Sequence, residues 1–455
     1  MKVALISTYD LGRQPFGLAS PAAWLRKAGA DVFCWDVSLD ALDEAQIRSA
    51  DLVAFYVPMH TATRIAVQTL DRVKSLNPAA HLCFYGLYAS VNEGYLRRLG
   101  VHTLLGGEFE KGLVELVQRL EAGNGAGAFR EVPVISLERL KFESPDREGL
   151  PDLPRYARLD PGDGKIRTVG YTEASRGCKH LCRHCPIVPV YQGAFRVVQR
   201  GVVLEDIRRQ VARGARHITF GDPDFFNGVR HAVELVGSLH EEFPDLTYDV
   251  TIKVEHLLKH TRHLPRLRST GCLFVTSAVE SIDDHILEIL DKGHTRADFI
   301  RAVRLFREIG LNLNPTFLPF TPWTTLSGYR ELLSVLVELG LVEHVSPVQL
   351  AIRLLIPAGS RLLELPEGSE FAGEFDERAL SHIWHHEDFR VDRLQRDVLN
   401  IVKRGEAQGE TRREIFSQVW RAAHLAEGLE QADVPALPVL PSPSAIPFLT
   451  EPWYC

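Results

Sequence analysis

Short apolar runs alternate with amphipathic stretches along this chain from its start to about residue 365, and the rhythm is broken only once. "KVALIST", "DVFCWDV", "ADLVAFYVPMH" and "AHLCFYGLYAS" are strand-like, and helical segments such as "ATRIAVQTLDRVKSLNP" separate them. Such alternation forces parallel sheets, because a chain that re-enters a sheet in the same direction must cross over through a helix. Residues 1–121 are therefore expected to form an open α/β domain with helices on both faces of a parallel sheet. Residues 122–167 are loose and rich in Pro, Gly and charge ("EAGNGAGAF", "SPDREGLPDLPRYARLDPGDGK") and read as a linker or wrapping segment. A second series spans 168–362, with strands expected at about 168–175, 216–221, 247–254, 272–279, 312–318 and 348–355. Six strand–helix units suit a partial (β/α)6 barrel rather than a closed eightfold one. Residues 363–430 read as mainly helical. Residues 431–455 form a tail whose six prolines exclude a regular helix.

Hydrophobic residues make up 45% of the chain and charged residues 24%, with a net charge of −7. That profile suits a globular protein and gives no reason to expect nucleic-acid or anionic-membrane binding. No apolar run is long enough for a membrane helix. "MKVALISTYDLG" turns polar too soon for a signal peptide, so a reducing cytoplasm is the expected setting. Seven cysteines make no disulfide framework. Cys34, Cys83 and Cys272 sit in apolar runs and read as core residues.

The other notable cysteines are Cys455 and three in "RGCKHLCRHC": Cys178, Cys182 and Cys185. The triplet lies just past the first strand of the second series, at the end where barrel chemistry gathers. A structural zinc ion could take these three thiolates with His180 or His184 as fourth ligand, which would make the chain a non-catalytic binding or regulatory protein. One short loop wraps four ligands around an ion poorly. Three thiolates suit three irons of a [4Fe–4S] cube and leave the fourth iron open.

The C-x3-C-x2-C spacing after the first strand of a partial barrel resembles the radical S-adenosylmethionine (SAM) superfamily. The resemblance covers about residues 170–360, although His184 stands where that family usually has an aromatic residue. It implies an enzyme whose cluster, held by Cys178, Cys182 and Cys185, binds SAM at the fourth iron and cleaves it reductively to a 5′-deoxyadenosyl radical. It implies SAM contacts at Gly221 and Asp222 in "ITFGDPDFF", at Lys253 in "DVTIKVEH", and at Glu280 and Ser281 in "TSAVES". Lys253 and Glu255 stand two apart, on one face of the expected strand. "PTFLPFTPWTT" could wall a substrate site. An electron donor of the flavodoxin or ferredoxin kind is implied as partner; the substrate, a small molecule or a peptide, is not legible.

An α/β domain ahead of such a barrel resembles the cobalamin-dependent branch of that superfamily. The first domain is then Rossmann-like and cobalamin-binding-like, with "LLGGEFE" as its last loop. The Asp-x-His-x-x-Gly cobalt-ligand motif is absent from it. The end "LTEPWYC", with "DPDFFNG" and "PFTPWT", resembles proteins whose tails run on as Cys-Cys-Ala-Glu-Pro or Cys-selenocysteine-Ala-Glu-Pro. A UGA codon after codon 455, read as selenocysteine, is the expectation; a UAA or UAG codon there excludes it. His382, His385 and His386 around Trp384 are expected on a partly exposed helix face rather than as ligands.

Overall fold

The computed structural model of the protein describes residues 1–123, 134–162, 164–366, 368–429 and 447–450. The first sheet contains β1 (Lys2–Ser7), β2 (Asp31–Asp36), β3 (Leu52–Tyr56), β4 (His81–Tyr85), β5 (Thr103–Gly107) and β6 (Val134–Ser136), in the order β2-β1-β3-β4-β5-β6 and all parallel. Alternate residues of its strands serve two cores. Val3 and Leu5 pack with Leu18, Leu25, Leu113 and Val117 on one face. Ala4 and Ile6 pack with Ala66, Leu70 and Val73 on the other. Period-two burial on both faces explains the near-continuous apolar runs. β6 is supplied by residues read as linker, so the wrapping segment completes this sheet.

The same segment rivets the two halves together. Arg147 is buried and makes a two-pronged ion pair with Asp206 (Nε–Oδ1 2.8 Å, Nη2–Oδ2 2.9 Å). It also donates to Gln14 Oε1 of the first domain at 2.7 Å and to the Tyr171 carbonyl of the second at 2.6 Å. The contacts run across the boundary, so burying one guanidinium joins three parts of the chain.

The second sheet holds β7 (Arg158–Asp160) and β8 (Arg167–Thr172). A small hairpin of β9 (Ser175–Gly177) and β10 (Phe195–Val197) follows, flanking the cysteine loop. β11 (His217–Phe220), β12 (Thr247–Thr251), β13 (Cys272–Glu280) and β14 (Asn312–Phe317) continue the sheet. β8 and β11–β14 are parallel neighbours, and the sheet curls as a half-barrel. The sixth expected strand, 348–355, is a 3-10 turn at Pro347–Leu350 and a single parallel bridge, Phe320 to Arg353. Helix Arg296–Ile309 shows how local signals set these units. Thr295 and Asp298 form a reciprocal capping box, and Gly310 ends the helix at φ 69°.

Helices Phe389–Gln408 and Arg412–Ala426 pack into the same core as the barrel through Val391, Val398, Phe416 and Val419. The stretch before them is not helical, contrary to expectation. β15 (Phe375–Asp376) and β16 (Ser381–His382) form a short hairpin, and Trp384 is buried, donating from Nε1 to the Leu354 carbonyl at 2.8 Å. The indole needs a buried partner, and a carbonyl outside the segment supplies it; a regular amphipathic helix is given up there. β17 (Phe448–Leu449) returns to pair antiparallel with β7, and Asn314 of β14 donates to the Pro447 carbonyl at 3.2 Å. Cys455 and residues 431–446 lie outside the described residues. Among the described residues, no helix is long and apolar enough to cross a membrane.

Candidate functional site

The cysteine loop leaves the mouth of the half-barrel under firm constraint. Gly177 adopts φ 72°, and a Cβ there would overlap the Tyr191 ring. Asn227, from the turn after β11, accepts from the Lys179 amide at 3.2 Å and lies 3.9 Å from Cys178 Sγ. On the other side Arg183 donates from its amide to the Leu290 carbonyl at 3.0 Å, and Ser360 Oγ donates to the Arg183 carbonyl at 3.0 Å. The loop therefore has little freedom except at its sulfurs. Cys182 is buried, Cys178 and Cys185 are half-buried, and none forms a disulfide.

Burial pushes the Cys178 thiol up, and pushes the Cys185 thiol up to about 12, helped by Cys182 and Cys178. Thiols in that state are protonated and inert until a metal displaces the proton. The two neighbouring histidines each reach carboxylates. His184 Nε2 lies 3.3 Å from Glu280 Oε1, and His180 lies among Lys253, Asp224, Glu255 and His256.

Lys292, which the sequence did not single out, is the cation of the site. Its Nζ is 3.1 Å from Glu280 Oε1, and it is nearly fully buried. Burial works to lower its pKa, but Glu280 and Cys182 raise it above the ordinary value. Glu280 is the converse. Burial would raise its carboxyl, yet the Lys292 ammonium and His184 hold it well below the usual range. Glu280 sits at φ 69° on a bulge of β13, a strained position for a residue with a side chain. The only signal for Lys292 was a lone lysine beside a glycine after the helix that follows "ES".

The other expected contacts divide. Gly221 packs so closely on the Tyr171 hydroxyl that any side chain would overlap it. Asp222 is buried, and both carboxylate oxygens are taken, by the Ala174 amide at 2.9 Å and by Ser175 Oγ at 2.5 Å. It ties the mouth of β11 to the chain just ahead of the cysteine loop. Lys253 Nζ lies 3.2 Å from His180 Nδ1 and 3.5 Å from Glu255 Oε2. Glu255 is on helix Val254–Lys259 rather than on the strand, yet it still meets Lys253. Ser281 Oγ accepts from the Asp283 amide at 3.0 Å. Beside it opens a cavity of about 250 Å³ lined by Glu280, Ser281, Arg296 and, from the "PFTPWTT" loop, Pro319 and Thr324.

The carboxyl ends of the first sheet face this same loop. Tyr88, just after β4, is buried, and its phenol is raised by that burial and by the nearby Cys185. The last loop, "GGEFE", grips the residue two before the first cysteine. Arg176 donates to Glu110 Oε2 at 2.9 Å and Oε1 at 2.7 Å, to Glu108 Oε2 at 3.3 Å and to Glu173 Oε2 at 2.6 Å. Burial raises the Glu108 carboxyl from 4.5 to about 7, although Arg176 opposes it. One guanidinium thus serves three carboxylates at the junction of the domains.

The model of the radical SAM superfamily matches residues 172–333, the span that carries the loop, the Glu280–Lys292 pair and the half-barrel. This chain carries a radical SAM domain. The hopanoid C-3 methylase of Methylococcus capsulatus is 26% identical over 330 residues, which is 68% of this chain and 62% of that protein. The chain thus spans less than two thirds of that relative. The cobalamin-dependent SAM radical enzyme OxsB, solved with aqua-cobalamin and SAM bound, superposes with a TM-score of 0.70 at 16% identity, covering 89% of this chain and 67% of that one. The radical SAM methyltransferase TsrM of Kitasatospora setae, solved with cobalamin and a [4Fe–4S] cluster, gives 0.57 at 19% identity, covering 74% and 70%. At such identities the likeness is one of fold, and it includes the α/β domain ahead of the radical SAM domain.

Proposed function

We propose that this chain is a cobalamin-dependent radical SAM enzyme of the methyl-transferring kind, acting on a small-molecule or peptide substrate. In this reading Cys178, Cys182 and Cys185 hold a [4Fe–4S] cluster, SAM takes the open iron, and a corinoid lies between the mouth of the first sheet and the cysteine loop. The observation that carries it is a pinned loop with three thiols within eight positions, none of them in a disulfide, facing the carboxyl ends of a sheet ordered β2-β1-β3-β4-β5. Ligands of such sheets bind where the strand order reverses, beyond the carboxyl ends. When bound, the cluster supplies the electron that cleaves SAM, and the corinoid supplies methyl-transfer chemistry.

The residues then have definite tasks. Lys292 offsets the negative charge of thiolate ligands from a buried position. Glu280, kept ionised by Lys292 and His184, offers an acceptor for hydroxyl or amine groups of SAM at the rim of the cavity. Arg176 with Glu108 and Glu110 sets the distance between the two domains. A flavodoxin- or ferredoxin-like protein provides the electron. A non-catalytic, zinc-only role finds no support: the radical SAM model matches the span that carries the triplet.

Anaerobic reconstitution tests the proposal. The wild type should retain cluster iron and sulfide, retain corinoid absorbance when offered hydroxocobalamin, and form 5′-deoxyadenosine or S-adenosylhomocysteine from SAM. Cys182→Ala should lose the cluster and both products together. Turnover surviving in that variant would overturn the cluster assignment, and absence of retained corinoid would overturn the cobalamin part alone.

A further inference from the structure

One group of side chains beside the cysteine loop has no task in this scheme. We propose that His180, Asp224 and His256 form a separate site for a divalent transition metal, zinc or ferrous iron. The three come from different elements: the cysteine loop, the turn after β11, and the helix Val254–Lys259 after β12. Their ligand atoms all lie within 4.8 Å of one another. Asp224 Oδ2 is 2.7 Å from His256 Nδ1 and 3.4 Å from His180 Nε2. Ligands about 2.0–2.1 Å from a tetrahedral ion stand roughly 3.3 Å apart, so one of these spacings already matches and the other needs a small opening.

Burial makes the arrangement costly without a ligand. The side chain of Asp224 is 1% exposed, that of His256 7% and that of His180 13%. Yet Asp224 Oδ2, His256 Nδ1 and His180 Nε2 are each buried without a hydrogen-bond partner of acceptable geometry. At 2.7 Å the imidazole and carboxylate are close enough to bond, but their directions do not meet. An orphaned buried carboxylate oxygen otherwise carries an uncompensated desolvation penalty.

The surroundings support the ligand set. The other carboxylate oxygen, Asp224 Oδ1, accepts from the Phe226 amide at 2.9 Å, which fixes the orientation of the group. Glu255 Oε2 lies 3.5 Å from His180 Nδ1, placed to accept that ring hydrogen while Nε2 binds metal. Lys253 now reaches the same Nδ1 at 3.2 Å and would give up this contact, keeping its ion pair with Glu255 at 3.5 Å. Two imidazoles and a carboxylate select zinc or ferrous iron over magnesium or calcium. Three protein ligands leave a position open, so the ion could polarise a carbonyl, carboxylate or phosphate of a substrate bound next to the cluster. The inference does not rest on the cluster assignment.

The test uses reconstituted, cluster-loaded protein equilibrated with zinc and desalted. About one zinc per chain should remain beyond the cluster iron, and zinc K-edge absorption should show a nitrogen and oxygen shell containing two imidazoles. Asp224→Asn, which keeps the Phe226 acceptor, and His256→Gln should each retain less than about a tenth of that zinc. If either variant also loses iron, the same comparison is made with Cys178, Cys182 and Cys185 all changed to Ala, where zinc should bind and Asp224→Asn should remove it. No retained zinc, zinc unaffected by Asp224→Asn, or sulfur in the zinc shell overturns the proposal.

Discussion

Replacing Glu108 by Gln should make this protein more stable, and most at alkaline pH. Glu108 is fully buried where the first domain meets the cysteine loop, and burial raises its carboxyl from 4.5 to about 7. The folded state therefore binds its proton more tightly than the unfolded chain. The resulting stability is fully present below pH 4.5 and is lost as pH rises through about 7. The whole difference is about 3 kcal/mol, of which about 2 kcal/mol disappears between about pH 5.5 and about pH 8. Glutamine mimics the protonated acid: its carbonyl can still accept from the Tyr191 hydroxyl, now 3.0 Å from Glu108 Oε1. Arg176 keeps its two bonds to Glu110. The variant should gain about 3 kcal/mol at about pH 8, about 1 kcal/mol at about pH 5.5, and show a flatter stability–pH curve. Anaerobic thermal unfolding at both pH values, wild type beside variant, reads this directly. A variant no more stable than wild type at alkaline pH, or one with the wild-type pH dependence, would refute the argument that burial dominates at Glu108.

Arg147→Ala should cost about 3–5 kcal/mol by leaving Asp206 buried and unpaired, while Arg147→Met with Asp206→Leu should recover most of it; urea unfolding measures both. Gly177→Ala forces a side chain into φ 72° and onto Tyr191, so iron retained after reconstitution should fall severalfold while far-ultraviolet dichroism stays unchanged. Lys292→Met strands the buried Glu280 carboxylate, and should lower stability by about 3–5 kcal/mol and weaken SAM binding, measured by calorimetry.

The cysteine triplet was legible because its three residues lie within eight positions and its place after a strand follows from local periodicity. The parallel sheets were legible for the same reason. Where the reading failed, a distant partner had overruled local pattern. Residues 376–388 have an amphipathic look, but Trp384 donates its indole hydrogen bond to the Leu354 carbonyl and its ring lies under the Arg353 guanidinium, 3.5 Å from the centroid. Residues 348–355 are apolar enough for a strand, yet only Arg353 bridges to Phe320.

Charge partners were the least visible. Arg176 binds Glu108 and Glu110 across 68 and 66 residues, and Lys292 reaches Glu280 only because a helix folds back over the bulge in β13. His180, Asp224 and His256 are three ordinary polar residues in three separate segments. Hydrophobic period and ligand spacing act over a few residues, so the chain written as letters already contains both sheets and the three sulfurs. Ion pairing and the orientation of buried polar atoms depend on which loops meet at the mouth of a sheet, and only the folded chain brings those loops together.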